Sequence, residues 1–289
     1  MSVAVVVHLL REKLYWGSQS REPEPDLVME REAQARAFAL AGEQDGVLAF
    51  LYLYNAVQIS SVLTPGDRVL DLACGPANQL MQMARLNSDM EFVGIDASSA
   101  MLQHAQSGLQ RAGVGNVKLE LGDITNLSDF SDGSFDCVTC TMSLHHLPDV
   151  AALGKTMQEI RRVLKPNGRF YLVDFGRFKL RSTQRFFADD LRESPQFTDD
   201  YFNSLRAAFS VQELTAAAAM LEPGVQPFVT AFASFMVVLR SAAQRPLDAS
   251  TLQRAKVALA DLPPAQQHNF HNLTNWFRMG GYPLCCSLD

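Results

Sequence analysis

Hydrophobic positions along this chain switch between two periods, and the switches mark out strands and helices. Val69-Leu70-Asp71-Leu72 is an apolar run that meets a carboxylate and then enters the small-residue stretch Ala73-Cys74-Gly75-Pro76-Ala77-Asn78, the pattern of a buried strand feeding a tight turn. Glu91-Phe92-Val93-Gly94-Ile95-Asp96 is a second apolar run ending on an acid. Ser98 then stands where a helix N-cap belongs, and Met101, Leu102, Ala105 and Leu109 share one helical face before Gly113 closes it. Val150, Leu153, Met157, Ile160, Val163 and Leu164 recur at helical spacing, and Pro166-Asn167-Gly168 separates that helix from an apolar strand.

The flanks have a different rhythm. Residues 1–60 read as helical, with Pro23 and Pro25 breaking an initial segment. One helix is predicted from Asp26 to about Ala41, and a second from about Asp45 to Val62 with Val47, Leu48, Leu51 and Tyr54 on its stripe. Gln226–Thr230 and Ser234–Leu239 read as a hairpin. Beyond Ser241, helices are predicted over Gln253–Leu262 and Asn269–Arg278, with Pro263-Pro264 stopping the first.

The turn after the first strand narrows the chemistry. Gly75 can adopt positive φ and has no Cβ, so backbone N–H groups there can approach a ligand closely. A dinucleotide site wants several glycines and a helix N-terminus aimed at pyrophosphate; this loop has one glycine, with Asp71 just before it. The sign of that charge favours a cationic ligand without phosphate, and it disfavours nicotinamide redox chemistry. Asp96 lies 21 residues past Gly75, the spacing of a ribose-binding carboxylate in a strand-helix-strand unit.

With these residues in view, Asp71-Leu72-Ala73-Cys74-Gly75-Pro76-Ala77 resembles the glycine-rich loop of class I S-adenosylmethionine-dependent methyltransferases, whose ligand carries a positive ammonium and sulfonium. Ala77 stands where that family usually has a further glycine. Leu121-Gly122-Asp123-Ile124 resembles the end of the family's third strand, where the acid meets the adenine amino group and the apolar residue packs on the ring. Phe135 to Asp149, containing Leu144-His145-His146-Leu147-Pro148-Asp149, resembles its fourth strand and the loop that faces the transferred methyl, and Leu164 to Phe175 resembles its fifth strand. These matches run in order over residues 66–175.

The resemblance implies an α/β fold: a Rossmann-like, seven-stranded doubly wound sheet with an antiparallel last strand, N-terminal helices and a helical lid. The expected division is an N-terminal helical cap (1–60), a cofactor-binding core (61–175), a substrate lid (176–224), the final strand hairpin (225–240) and a C-terminal helical extension (241–289). S-adenosylmethionine is the implied cofactor, held by Asp71, Ala73, Gly75, Asp96, Ala97, Met101, Asp123, Ile124 and Thr141. His145, His146 and Asp174 are the candidate catalytic residues, although the paired histidines also recur in the family as a structural loop. Tyr54, Phe186 and Tyr201 are the candidate acceptor contacts, with Tyr15, Trp16 and Tyr52 as further aromatics from the N-terminal helices. The implied reaction is in-line methyl transfer to an N, O, S or C nucleophile of a small molecule.

Composition trims the alternatives. Of 289 residues 47% are hydrophobic, enough for a large core, and the formal net charge is −6 with no run of Lys or Arg. The cationic surface of a nucleic-acid binder is therefore missing, as is an Asn-Pro-Pro-aromatic tetrapeptide after the fourth strand. The apolar run Val3–Leu10 is far shorter than the ~20 residues needed to cross a bilayer, and Arg11 and Lys13 follow it rather than precede it as in a secretory signal. A cytoplasmic enzyme of small-molecule metabolism is expected, without nucleic-acid or membrane partners and compatible with a homodimer. Five cysteines follow no metal-ligand spacing, so no metal is expected. Two readings compete: Cys285-Cys286 as a thiol pair serving a metalloid (arsenite-type) methyltransferase, and a non-catalytic cofactor-binding partner protein.

Overall fold

The computed structural model describes residues 3–190, 195–242 and 244–288. Its centre is a seven-stranded sheet in the order β3-β2-β1-β4-β5-β7-β6. The strands are β1 (Arg68–Leu72), β2 (Glu91–Asp96), β3 (Val117–Leu121), β4 (Phe135–Thr141), β5 (Leu164–Phe175), β6 (Phe228–Val229) and β7 (Met236–Arg240). The first five run parallel, whereas β7 is antiparallel to both β5 and β6. Strand order reverses beside β1, and the crevice at such a switch point lies off the carboxyl ends of the strands. That places the turn after β1 and the loop after β4 side by side.

Alternation along each strand divides the core into two layers. Val69, Phe92, Cys137 and Tyr171 face one side, packing with α3 (Ala49–Ser60), α4 (Asn78–Leu86), α10 (Ala249–Ala260) and α11 (Pro264–Met279). Leu70, Val93, Cys140 and Leu172 face the other, packing with α6 (Val150–Val163) and α9 (Val211–Ala218). Cys137 and Cys140 thus lie on opposite faces, as strand pleating requires. The remaining helices are α1 (Val3–Leu14), α2 (Glu32–Ala41), α5 (Ser99–Arg111), α7 (Arg181–Asp190) and α8 (Pro195–Ala207). Ser98 caps α5 by accepting from Met101 N at 3.1 Å. Among the described residues, no helix is long and apolar enough to cross a membrane.

Three boundaries differ from the sequence reading. Residues 26–31 are not helical, because they bond to a neighbour instead of to their own next turn: Ser98 Oγ donates to Met29 O, and the Glu30 carboxylate accepts from Ser99 N at the start of α5. That is a favourable place for a negative charge. α3 begins at Ala49 rather than Asp45, because Gly46 and Leu48 turn back onto α2. Pro263 and Pro264 do more than end a helix: Pro264 is the first residue of α11, where its missing N–H costs no hydrogen bond. α11 accordingly starts five residues before Asn269.

Candidate active site

The turn after β1 is built from left-handed residues. Ala73, Gly75 and Ala77 have φ of 52°, 54° and 60°, a region that costs a non-glycine residue about 1–2 kcal/mol. Ala77 adopts it without a glycine's freedom and sits 1% exposed at the N-cap of α4, so the departure from the family pattern leaves the turn's shape intact. A Cβ built on Gly75 would meet nothing within 4 Å. It would project into the cavity that the turn borders.

Asp96 fastens this turn to the next. Its Oδ2 accepts from Gly75 N at 2.7 Å and its Oδ1 from Ser98 N at 2.8 Å. Burial raises its pKa against the pull of those two hydrogen bonds. The carboxylate also lines the cavity, with Ala73, Gly75, Ala97, Met101, Asp123, Ile124 and Thr141. Asp123 holds its own turn by accepting from Thr125 N and Oγ1 at 2.7 and 2.8 Å, beside the apolar Ile124. A backbone cradle, a carboxylate and an acid next to an apolar platform could hold the methionine, ribose and adenine parts of S-adenosylmethionine in that order.

Asp71 does not belong to this lining. It is 1% exposed, receives a 2.6 Å hydrogen bond from Thr139 Oγ1, and has its pKa pushed up to about 7, chiefly by burial. It lies behind the turn and outside the cavity lining, so its charge does not face the cavity as the sequence reading expected. On β1 it shares the parity of Val69, which faces the α3 and α4 layer.

The cavity, about 1140 Å³, exceeds the ~300–1,000 Å³ usual for a single small ligand. It continues past Thr141 to the loop after β4. There His145 Nδ1 lies 2.6 Å from Asp174 Oδ1, while His145 N donates to Asp174 Oδ2 at 2.8 Å. A carboxylate only accepts, so Nδ1 carries the hydrogen and Nε2 keeps the lone pair of the neutral ring. Burial lowers the imidazole pKa, but Asp174's charge and hydrogen bond, with Glu24's charge, more than offset it and the net shift is upward. His146 moves the other way, well below its usual value, through burial and its neighbour's charge. His145 and His146 line the cavity; Asp174, 2% exposed, stands behind His145 and holds it.

A strap from the N-terminal region fixes this loop. The Arg21 guanidinium donates to Pro148 O at 2.6 Å, His145 O at 2.8 Å, Leu147 O and, from the other side, Ala207 O at 2.6 Å, while packing on the Phe209 ring. It brings in Glu24, 8% exposed, which accepts from Ser204 Oγ at 2.8 Å and whose pKa burial raises. Glu24, His145 and His146 each place a potential ligand atom within 4.8 Å of the others. The two imidazoles are half-stacked, centroids 4.5 Å apart and tilted 36°. Three donor atoms so close together could hold a metal ion, although no metal-ligand spacing marks them in the sequence.

The acceptor candidates are placed unevenly. Tyr201 lines the cavity, its ring edge-on to Phe175. Tyr54 does not: it is fully buried, stacked on Phe277 and bonded to Gln58, while Tyr52 reaches the cavity instead. Phe186 stacks on His8 outside the lining and Phe187 takes its place. Trp16 and Tyr15 are on the surface. The sequence reading predicted a helix here but missed its part in the cavity: Asn269, Asn272, Leu273, Asn275 and Trp276 of α11 line it, while Phe270 and Phe277 are buried in the core. Amides repeated every three residues were the available signal. Cys285 and Cys286 are not in the lining: Cys285 Sγ lies 3.3 Å from Val57 O, and Cys285 N donates to Gln58 Oε1 at 3.0 Å. They pack on the last turns of α3.

Known proteins are similar to parts of this chain. An uncharacterized methyltransferase of Bacillus subtilis is 39% identical over 107 residues, 37% of this chain and 40% of that protein. A demethylmenaquinone methyltransferase of Symbiobacterium thermophilum is 37% identical over 123 residues, 39% of this chain and 46% of that one. The chain thus spans less than half the length of these curated relatives. A crystal structure of an S-adenosylmethionine-dependent methyltransferase from Aquifex aeolicus superposes with a TM-score of 0.53 at 14% identity, covering 73% of this chain and 97% of that one, which shows a shared fold. Residues 63–218 match the sequence model of the family described as methyltransferase domain. Strand order and sequence match agree, and the chain belongs to the methyltransferase domain family.

Proposed function

We propose that this protein transfers a methyl group from S-adenosylmethionine to a small-molecule acceptor. The observation that carries the reading is that one cavity runs without interruption from the Gly75–Asp96 cradle to His145, with room at the second end for another ligand. The bound cofactor supplies an already activated methyl, so the chain's task is alignment, worth up to ~7–11 kcal/mol when reacting atoms are held in line. Gly75 and Asp96 hold one partner. Tyr201, Phe187 and the α11 amides flank the space for the other, a mixed wall suited to a largely apolar acceptor bearing a few polar groups.

His145 suits an acceptor whose nucleophile carries a proton, such as a hydroxyl. Nδ1–H is committed to Asp174, so Nε2 is the nitrogen that would take the acceptor's proton, while S-adenosylmethionine, when bound, would supply the methyl group and leave as S-adenosylhomocysteine. Asp174 orients the ring and stabilises the imidazolium. The test is calorimetric titration with S-adenosylmethionine, followed by an acceptor panel read as S-adenosylhomocysteine release. Saturable binding, weakened at least about 100-fold in Asp96→Ala, and turnover with a hydroxylated acceptor are expected. Binding that survives Asp96→Ala removes the site; binding without turnover across the panel favours a non-catalytic partner.

A further inference from the structure

α1 forms part of the cavity wall on one face and lies open on the other. Val5 lines the cavity, and Val5 and Leu9 pack with Phe175, Phe178, Phe187 and Leu205. Glu12, on the same inner face, accepts from Lys179 N and Leu180 N at 2.7 and 2.9 Å, pinning α1 to the start of α7. The opposite face carries Val6, Val7, Leu10 and Leu14, between 40% and 72% exposed, and the helix runs into Tyr15 and a fully exposed Trp16. Scattered exposed aliphatics need no explanation. These do, because they form one stripe.

At 3.6 residues per turn the four aliphatics fill an arc about 100° wide. Arg11 falls on one edge and Lys13 on the other, with no acid on the exposed side. Lys179, exposed, adds a third cation where its Nζ donates to Tyr15 O at 2.9 Å. An apolar stripe flanked by long cations, with aromatics at its end, is the pattern of a helix lying in the plane of a membrane interface, stems buried and charges in the headgroups. We infer that the outer face of α1 docks on an anionic phospholipid surface and holds the cavity wall against it. A second copy is the poorer occupant: stripe against stripe about a twofold axis would bring the Arg11 and Lys13 edges of both copies together. The span-length argument that rules out crossing a bilayer is silent on lying flat, and 12 residues make a rod about 18 Å long.

The inference does not depend on methyl transfer, and its test uses no activity assay. The full-length protein is sedimented with phosphatidylcholine vesicles, with and without about one-third phosphatidylglycerol. Expected is salt-sensitive pelleting with the anionic vesicles, lowered at least about tenfold by the exposed-face double variant Leu10→Glu/Leu14→Glu. Arg11→Gln/Lys13→Gln should cost about fivefold per charge on anionic vesicles and little on neutral ones. Unchanged thermal melts confirm that the variants fold. No pelleting with either composition, or pelleting indifferent to Leu10→Glu/Leu14→Glu, overturns the inference. So does light scattering that finds a dimer in the absence of lipid which that variant splits, because the stripe then belongs to a second copy.

Discussion

The two ends of the cavity are built on different principles. At the cofactor end, Gly75, Asp96, Ser98 and Asp123 come from three consecutive strand ends, and each partner is backbone or a near neighbour in sequence. At the acceptor end, the walls come from α1, residues 27–29, α7 and α8, and α11, and the contacts that brace them bridge 100 residues or more: Arg21 to Pro148 and Ala207, Ser204 to Glu24. A ligand common to many proteins can be held by geometry that the sheet itself supplies. One particular to this protein needs surfaces gathered from elsewhere.

The largest expected effect tests whether the ends are separable. Asp174→Asn leaves the Gly75–Asp96 cradle untouched but removes the charge that orients and sustains the His145 imidazolium. We expect turnover to fall about 10²–10⁴-fold with S-adenosylmethionine affinity within about twofold. A histidine acting as base must be neutral, so with His145 in that role wild-type kcat/KM should rise with pH through its raised pKa, and in Asp174→Asn that limb should move to lower pH. Loss of cofactor binding in parallel would show the two ends to be one cooperative unit.

The same division explains what was legible in the sequence. Ser98, Gly75 and Asp96 were readable because their jobs are local: a cap, a positive φ, a strand-end carboxylate. Tyr54 was misplaced because α3 is buried nearly all round, so its apolar stripe carries no polar face to say which side meets the cavity. One residue's error on a helix is a 100° rotation, which also separates Phe186 from Phe187. Glu24 left no trace, since a lone acid between two prolines acquires its meaning only when Arg21 ties that strap to the loop after β4. Asp71 was read with the correct position and the wrong direction. Its strand end was plain, but the pleat that turns it from the cavity was not.

Asp71 gives the next effect, at the base of the cofactor end. Its pKa is raised from 3.8 to about 7, so its contribution to stability is fully present below pH 3.8 and is lost as pH rises through about 7. Asp71→Asn keeps an oxygen to accept from Thr139 and does not titrate. In urea denaturation the variant should gain about 2–4 kcal/mol on wild type between about pH 4 and about pH 8. Parallel curves would mean that the carboxylate is charged and well paired at all pH, which would restore it as an electrostatic partner of the ligand.

Smaller again is the effect of Cys285→Ser with Cys286→Ser, which belong to neither end. The 3.0 Å bond from Cys285 N is made by backbone and survives, so stability should change by no more than about 1 kcal/mol. Cofactor affinity and turnover should be unaltered. A specific loss of arsenite methylation in this variant would revive the metalloid reading despite the distance of both thiols from the lining.

The smallest expected effect probes the seam. Glu24 adds a negative charge beside His145 without lining the cavity, and its own pKa is raised by burial, so it acts on the imidazole only over the pH range in which it is ionised. Glu24→Gln keeps an oxygen to accept from Ser204 Oγ while deleting that charge. The acid limb of kcat/KM should move down by a fraction of a pH unit and the plateau should hold within about threefold, a change worth less than ~1 kcal/mol. An unmoved limb with a lowered plateau would show that Glu24 serves the site by anchoring the strap alone. A moved limb would show that a segment 121 residues away in sequence tunes the base, making the acceptor end a place where distant chain segments set chemistry as well as shape.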